Sequence, residues 1–305
     1  MNIVAATDFS TRSNRALRQA GLLVRSPDAK LHLVHVVDED QPTELVRIEE
    51  REAQRMLVEQ IAAMPELQNI HCYPIVVKGH PFDGILRTAA AVDADLVVMG
   101  AHRKQFLRDI FTGTTIERVI RGGKYPVLMV NNEAQRQYER VLVPTDLSNT
   151  SADAIRIGLS AGFLIDDRTS LLHAFSAVGK ARLKTSGADP SIVSGYVENE
   201  RERAMEELSK FLVANGFDGR AWALRVTEGV PMQVIARAVS EEQPDLLLMG
   251  THSRTGLLRA FIGSVTEEIL RSVDVDVLAV PPLSHEVHPN RRVPPCKAGE
   301  GGCAQ

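Results

Sequence analysis

Cysteine is scarce: Cys72, Cys296 and Cys303 are the only three in 305 residues. That excludes a disulfide scaffold and makes a reducing cytoplasm the expected compartment. Aromatic residues are also few, at 5%. No run interleaves them with arginine, and there is no basic arm. The formal net charge is −4, so no global basic field draws in nucleic acid or anionic lipid. No apolar run approaches the roughly 20 residues that span a bilayer, so no membrane partner is expected. Met1 to Asp8 has no basic segment and reaches an acid too soon for a signal peptide; it reads as a strand. A Ser-His-Asp order, a His-Glu-x-x-His pattern and a paired-carboxylate signature are all missing, so no catalytic residue is assigned. His285, His288, Cys296 and Cys303 match no tight zinc spacing, so no metal ligand is assigned either.

What is present is apolar and regular. Hydrophobic residues make up 44% of the chain, enough length and core for two ordinary domains. Short apolar runs alternate with helical spacing. Ile3 to Ala6, Lys30 to Val37, His71 to Val77, Ala94 to Met99 and Pro126 to Val130 read as strands. Ser13 to Leu23, about Pro42 to Met64, Pro81 to about Val92 and Gly113 to Ile120 read as helices. The second helix has an apolar stripe of Leu45, Ile48, Ala53, Met56, Leu57 and Ile61. Such alternation predicts an open α/β sheet of parallel strands with right-handed crossovers. A ligand on such a sheet sits beyond the carboxyl ends of the strands, where the strand order reverses.

The pattern then repeats. Asp146 stands 138 residues after Asp8, and His173 stands 138 after His35. Gly229, Gly250 and Gly263 each stand 150 residues after Gly79, Gly100 and Gly113. The change of offset places a net insertion of 12 residues between His173 and Gly229. Its polar part, Gly179 to Gly195, has no clear period and is expected to be a loop or lid, with a helix from Val197 to Ala214 after it. A repeat of this size is a duplicated domain, not a solenoid. The expected boundaries are 1–132, a polar linker at 133–139, 140–282, and a disordered tail at 283–305 that is rich in Pro, Gly and charge. Pro126 to Val130 and Val275 to Val280 read as the last strand of each repeat.

Each repeat carries one chemical signal. A strand ends in glycine (Gly100, Gly250), and after a polar stretch a helix opens on Gly113-Thr114 or Gly263-Ser264. Glycine, a hydroxyl and free N–H groups at a helix start suit a phosphate cradle. Read from the residues alone, Asp8 and Asp146 are either site residues or turn-formers before a helix. His35 and His173 lie within apolar strands and read as satisfied core histidines. His102 and His252 serve either a phosphate contact or loop packing. Asp38, Glu39 and Asp40 read as a solvated helix entry.

With Thr7-Asp8-Phe9-Ser10, Pro144-Thr145-Asp146-Leu147-Ser148, Leu33-Val34-His35-Val36, Leu171-Leu172-His173 and both glycine loops in view, the chain resembles the universal stress protein family over residues 1 to about 282. The resemblance implies two tandem five-stranded parallel-sheet domains, Rossmann-like and of the adenine nucleotide alpha hydrolase-like type, joined as an internal pseudo-dimer. The family's ATP-binding branch carries G-x2-G-x9-G-[S/T]. Here Arg103 and Ser253 replace the middle glycine. The resemblance implies that Asp8 and Asp146 lie near the adenosine, and that the backbone of Val36 and Ala174 faces adenine. Gly100, Arg103, Gly113, Thr114 and Thr115 would hold phosphate in the first repeat. Gly250, Ser253, Gly263, Ser264 and Val265 would do so in the second, which is expected to be the better site because Ser253 is small and Arg103 is bulky. ATP with Mg2+ is the implied ligand, acting in regulation of the stress response through protein partners the sequence does not identify. A nucleotide-free scaffold or adaptor and a slow ATPase stay open as alternatives, as does a dimer of whole chains.

Overall fold

A computed structural model of the chain describes residues 1–24, 26–101, 114–122, 124–251 and 262–282. The first half runs β1 (Asn2–Ala6), α1 (Thr11–Leu23), β2 (Lys30–Val37), α2 (Thr43–Ala63), β3 (His71–Lys78), α3 (Pro81–Ala91), β4 (Leu96–Gly100), α4 (Thr115–Arg121) and β5 (Val127–Val130). The second half runs β6 (Val141–Thr145), α5 (Asn149–Ser160), β7 (Thr169–Phe175), α6 (Lys180–Thr185), α7 (Pro190–Asn215), β8 (Ala223–Glu228), α8 (Pro231–Glu242), β9 (Leu246–Gly250), α9 (Ser264–Ser272) and β10 (Asp276–Val280).

Among the described residues, ten strands form one sheet in the order β3-β2-β1-β4-β5-β10-β9-β6-β7-β8. Pairing is parallel within each half and antiparallel at the β5–β10 seam alone. At the seam Leu278 faces Leu128, Val277 faces Met129 and Ala279 faces Val127. Leu278 is the repeat partner of Leu128, so a pseudo-twofold axis passes through this pair, as in an isologous dimer interface. Alternate strand residues feed opposite faces. Leu128 and Leu278 join the core under α1, α2, α5 and α7. Val127, Met129, Val277 and Ala279 join the core under α3, α4, α8 and α9. Both cores run unbroken across the seam, so the halves share them.

The free edges are β3 and β8. Pro74 sits inside β3. Because Gly79 N–H donates to Val37 O, the alternation of the parallel ladder turns Pro74 outward. The ladder therefore loses nothing, and the open edge presents one donor fewer. In β6, Pro144 is turned toward β9, where the ladder has already ended at Leu142. The strands part there, which opens the crevice.

Two expectations need correction. The stretch expected as a loop or lid at 179–195 is helical: α6 covers Lys180–Thr185, and α7 starts at Pro190 and runs 26 residues. Asp189 caps α7 by accepting from Ser191 N, and Pro190 takes the first position. That Asp-Pro start is a legible helix signal, and Ile192, Val193, Tyr196 and Val197 continue it at helical spacing. The buried face of α2 is Val46, Ala53 and Leu57, while Leu45 and Ile48 stand 41% and 55% exposed. The connection between the halves is polar but pinned. Asp276 accepts from Asn131 N (2.8 Å), Asn132 N (3.0 Å) and the Tyr138 hydroxyl (2.6 Å). Asp245 accepts from Glu139 N and Arg140 N, both at 2.9 Å. Burial pushes the Asp276 carboxyl up against the pull of those three donors. Burial also pushes the Tyr138 hydroxyl well up, helped by the adjacent Asp276 charge.

Candidate functional site

The turn after β1 and the turn after β6 are built on the same bonds. Thr7 Oγ1 accepts from Phe9 N (3.0 Å), and Thr145 Oγ1 accepts from Leu147 N (3.0 Å). Asp8 Oδ1 accepts from Ser10 N (3.0 Å), and Asp146 Oδ1 from Ser148 N (3.1 Å). Ser10 and Ser148 then cap α1 and α5 through Ser13 N and Ser151 N. Between aspartate and cap, Phe9 and Leu147 hold φ of 60° and 61°. Side chains of that size pay about 1–2 kcal/mol for the left-handed conformation. Its recurrence in both halves marks the turns as constrained sites, a feature without a signature in the sequence. Both aspartates are thus turn-formers in this structure. Burial raises the Asp8 carboxyl, but hydrogen bonds from Ser10 and Ser13 outweigh it and hold the group below the usual range. In the second half Ser151, the repeat partner of Ser13, donates from Oγ to Asp146 Oδ1 at 2.6 Å.

The strand histidines lock the same turns. His35 Nδ1 donates to Thr7 O and His173 Nδ1 to Thr145 O, each at 2.9 Å. Both rings are satisfied by the backbone, and Phe9 packs on His35 with centroids 4.4 Å apart. One residue on, Val36 and Ala174 have outrun β1 and β6. Val37 O accepts from Gly79 N, and Phe175 O from Gly229 N. By alternation, the N–H and C=O of Val36 and Ala174 point the other way, past the ends of β1 and β6. Gly79 and Gly229 make the following turns at φ of 121° and 147°, which favour glycine.

Gly100 and Gly250 close the floor, and the protein itself requires them. A Cβ on Gly100 would lie 2.6 Å from Arg12 O, and one on Gly250 would lie 2.8 Å from Thr150 Cγ2. The first turns of α1 and α5 press that closely on β4 and β9. Retention of these glycines therefore carries no information about phosphate by itself.

The halves part at the next element. Thr114 is the N-cap of α4, and its hydroxyl accepts from Glu117 N at 3.2 Å. Thr115 is the first helical residue. In the second half the cap position falls on Gly263, and Ser264 is already helical, exposed, and without a hydroxyl partner among the described residues. Val265 follows it, half-buried. The start of α9 is tied to the end of β9: Gly263 N donates to Thr251 O (2.6 Å), and the buried Thr266 hydroxyl donates to Gly250 O (2.8 Å). Ile116 occupies the matching place in α4 and offers no hydroxyl. A continuous line of contacts thus runs from Asp146 through Ser151 and Thr150 to Gly250, Thr266 and Ser264. Thr266 was not singled out from the sequence, because a threonine inside an amphipathic helix carries no signal. Arg103, Gly113, Ser253, His102 and His252 lie outside the described residues. Among the described residues, no three His, Cys, Asp or Glu side chains gather as a metal site.

The universal stress protein family model matches residues 1–131 and 137–281. A universal stress protein of Methanocaldococcus jannaschii is 24% identical over 162 residues, covering 52% of this chain and 91% of its own length. Universal stress protein E of Escherichia coli K12 is 23% identical over 222 residues, covering 70% of this chain and 68% of its own. The crystal structure of a universal stress protein from Archaeoglobus fulgidus superposes with a TM-score of 0.65 at 17% identity, over 92% of this chain and 98% of that one. Among the described residues no helix is long and apolar enough to cross a membrane.

Proposed function

The chain belongs to the universal stress protein family, with two tandem copies of its domain, and on that premise we propose that the second half binds an adenine nucleotide, ATP first among candidates, as a regulatory ligand. The observation that carries this reading is the continuous line from the Asp146 turn to the exposed Ser264 hydroxyl. It ends on the first turn of a nine-residue helix whose opening N–H groups suit an oxyanion. Ala174 offers a backbone donor and acceptor at the other end of the crevice, the pattern that an adenine edge complements. Mg2+ would travel on the phosphates, since the described residues hold no cluster of ligands for it. The first half is the weaker site, because Thr114 is fixed as the cap of α4, accepting from Glu117 N, and Ile116 stands where the second half has the Thr266 strut. No described side chain is placed as a general base, so the reading is binding rather than turnover. Binding that favours one state stabilises it and passes that preference to partners.

The test is direct. The full chain is purified gently and denatured, and released nucleotide is identified; the stripped chain is then titrated with Mg-ATP by calorimetry. Adenine nucleotide in the supernatant, or saturable heat that Ser264→Ala weakens, supports the proposal. No nucleotide, no heat and no thermal shift would leave the scaffold reading in its place.

A further inference from the structure

Helices α4 and α9 flank the seam on the same face of the sheet, with Ile116, Val119 and Ile120 of one and Ile269 and Leu270 of the other in a single core. Their first residues are the ones assigned to phosphate above. Their later turns play no part in that reading, yet they are joined by charge. Arg121, the last residue of α4, donates from Nε to Glu117 Oε1 at 2.6 Å within its own helix. Its Nη2 reaches across the seam to Glu267 Oε2 of α9 at 3.6 Å. Glu267 in turn accepts from Arg271 Nη2 at 2.5 Å. One guanidinium therefore ties the carboxylates of both helices together. Glu117 is 2% exposed, and Arg121 and Glu267 are 29% and 25% exposed. This is not an open surface pair, and water screens it less than one.

The backbone of the two glutamates closes the first turn of each helix. Glu267 N donates to Gly263 O (2.9 Å), the opening helical bond of α9. Glu117 N donates to the Thr114 cap (3.2 Å), the opening bond of α4. Anything that orders one first turn places that helix's glutamate, and Arg121 is held by both. Chains of packed and ion-paired groups of this kind carry coupling when the elements they join shift between arrangements.

We propose that Arg121 is a positioning residue that couples the two candidate sites: an anionic ligand that orders the first turn of α9 also orders the first turn of α4, through Glu267, Arg121 and Glu117. The ligand half of this statement rests on the nucleotide reading above; the coupling half stands on the helices alone.

Amide hydrogen exchange on the full chain tests both parts separately. With saturating Mg-ATP, peptides covering 264–272 and 115–121 should both exchange more slowly in the native protein, the latter by about fivefold, the low end of measured couplings. Arg121→Gln should keep the slowing at 264–272 and lose it at 115–121. Slowing confined to 264–272 in the native chain, or unchanged slowing at 115–121 in Arg121→Gln, overturns the coupling while leaving nucleotide binding intact. If Mg-ATP slows neither helix, the nucleotide reading fails, and the coupling is then judged without ligand. Thr266→Val releases α9 from Gly250 O and should speed exchange at 115–121 in the native background but not beside Arg121→Gln. Equal exchange at 115–121 in all four chains overturns it.

Discussion

The turns after β1 and β6 share the bonds that set their shape, whereas the starts of α4 and α9 do not. The shared part includes the left-handed Phe9 and Leu147, the histidines tied to Thr7 and Thr145, and the glycines beneath the first turns of α1 and α5. These hold the sheet's carboxyl end in shape whether or not a ligand is present. The unshared part is small and chemical: a hydroxyl held as a helix cap in one half and exposed without a partner among the described residues in the other, and a threonine strut in one half where the other has isoleucine. A second contrast lies at the sheet edges. Lys78 at the end of β3 pairs with Glu50 of α2 at 3.2 Å, and its counterpart Glu228 pairs with Lys180 of α6 at 2.6 Å. The strut survives with its charges exchanged, because only the pair matters to the packing. Differences that keep a bond are structural drift, while differences that release a polar group change what the site offers.

The seam tests the claim that the halves are equivalent where they meet. Leu128 and Leu278 are both fully buried on the pseudo-axis. Leu128→Ala and Leu278→Ala should each cost about 2–5 kcal/mol, and equally so. Being in contact, they should not add in the double variant. Urea denaturation measures this; a difference of more than about 1 kcal/mol between the singles would break the symmetry. The floor glycines should separate the halves. Gly100→Ala drives Cβ onto the Arg12 and Ser13 backbone, with Arg12 O at 2.6 Å, whereas Gly250→Ala first meets the Thr150 methyl at 2.8 Å and backbone at 3.1 Å. Overpacking costs roughly 1–3 kcal/mol; Gly100→Ala should fall at the top of that range and Gly250→Ala at the bottom. The reverse order would show that α1 yields more easily than α5.

Tyr138 has no counterpart in the first half, so it tests what the connection adds. Tyr138→Phe leaves the Asp276 carboxylate buried with two donors instead of three. A bond to a charged group is worth about 1.5–3 kcal/mol, and denaturation should show a loss near the lower figure. No loss would mean that the two backbone donors suffice. The helix starts give a smaller, opposed pair. Thr114→Ala removes a cap and should cost about 1 kcal/mol, with little effect on nucleotide affinity. Ser264→Ala should leave stability unchanged and weaken Mg-ATP binding. Equal effects of both on affinity would erase the ranking of the sites.

How much of this was legible follows from where each signal resides. The ten strands and the duplication follow from apolar runs and fixed offsets, which survive in composition and spacing. Leu45 and Ile48 misled because helical period fixes a face only to within a turn: Val46, one position over, is the buried member. The 179–195 stretch departs from its loop reading because α6 buries no residue, whereas α7 carries its signal in Asp189-Pro190 and in the spacing of Ile192, Val193 and Tyr196. The left-handed Phe9 and Leu147, the Thr266 strut and the Arg121 bridge were invisible for another reason. Each depends on what lies across space, and no local pattern encodes that.

The last contrast concerns pH. His32 in β2 corresponds to Ser170 in β7. The imidazole is 8% exposed, stacked on Tyr73 at 5.1 Å, and neither ring nitrogen has a partner among the described residues. Burial lowers its affinity for a proton, and the Lys30 charge lowers it further, below the ordinary value of 6.5. The unfolded chain therefore takes up a proton at a higher pH than the folded one. The stability that neutral His32 contributes is complete above the ordinary value and is lost as pH falls from there toward the folded value. At the matching position the second half has Ser170, which carries no such liability. Urea midpoints of the native chain should fall between about pH 7.5 and about pH 5.5 more steeply than those of His32→Ser, which installs the second half's residue. Hydrogen exchange should place the excess loss in β2 and β3 and leave β7 and β8 unmoved. Parallel pH profiles for the two chains would mean that the ring finds a partner when protonated, and the contrast between the halves at this position would vanish.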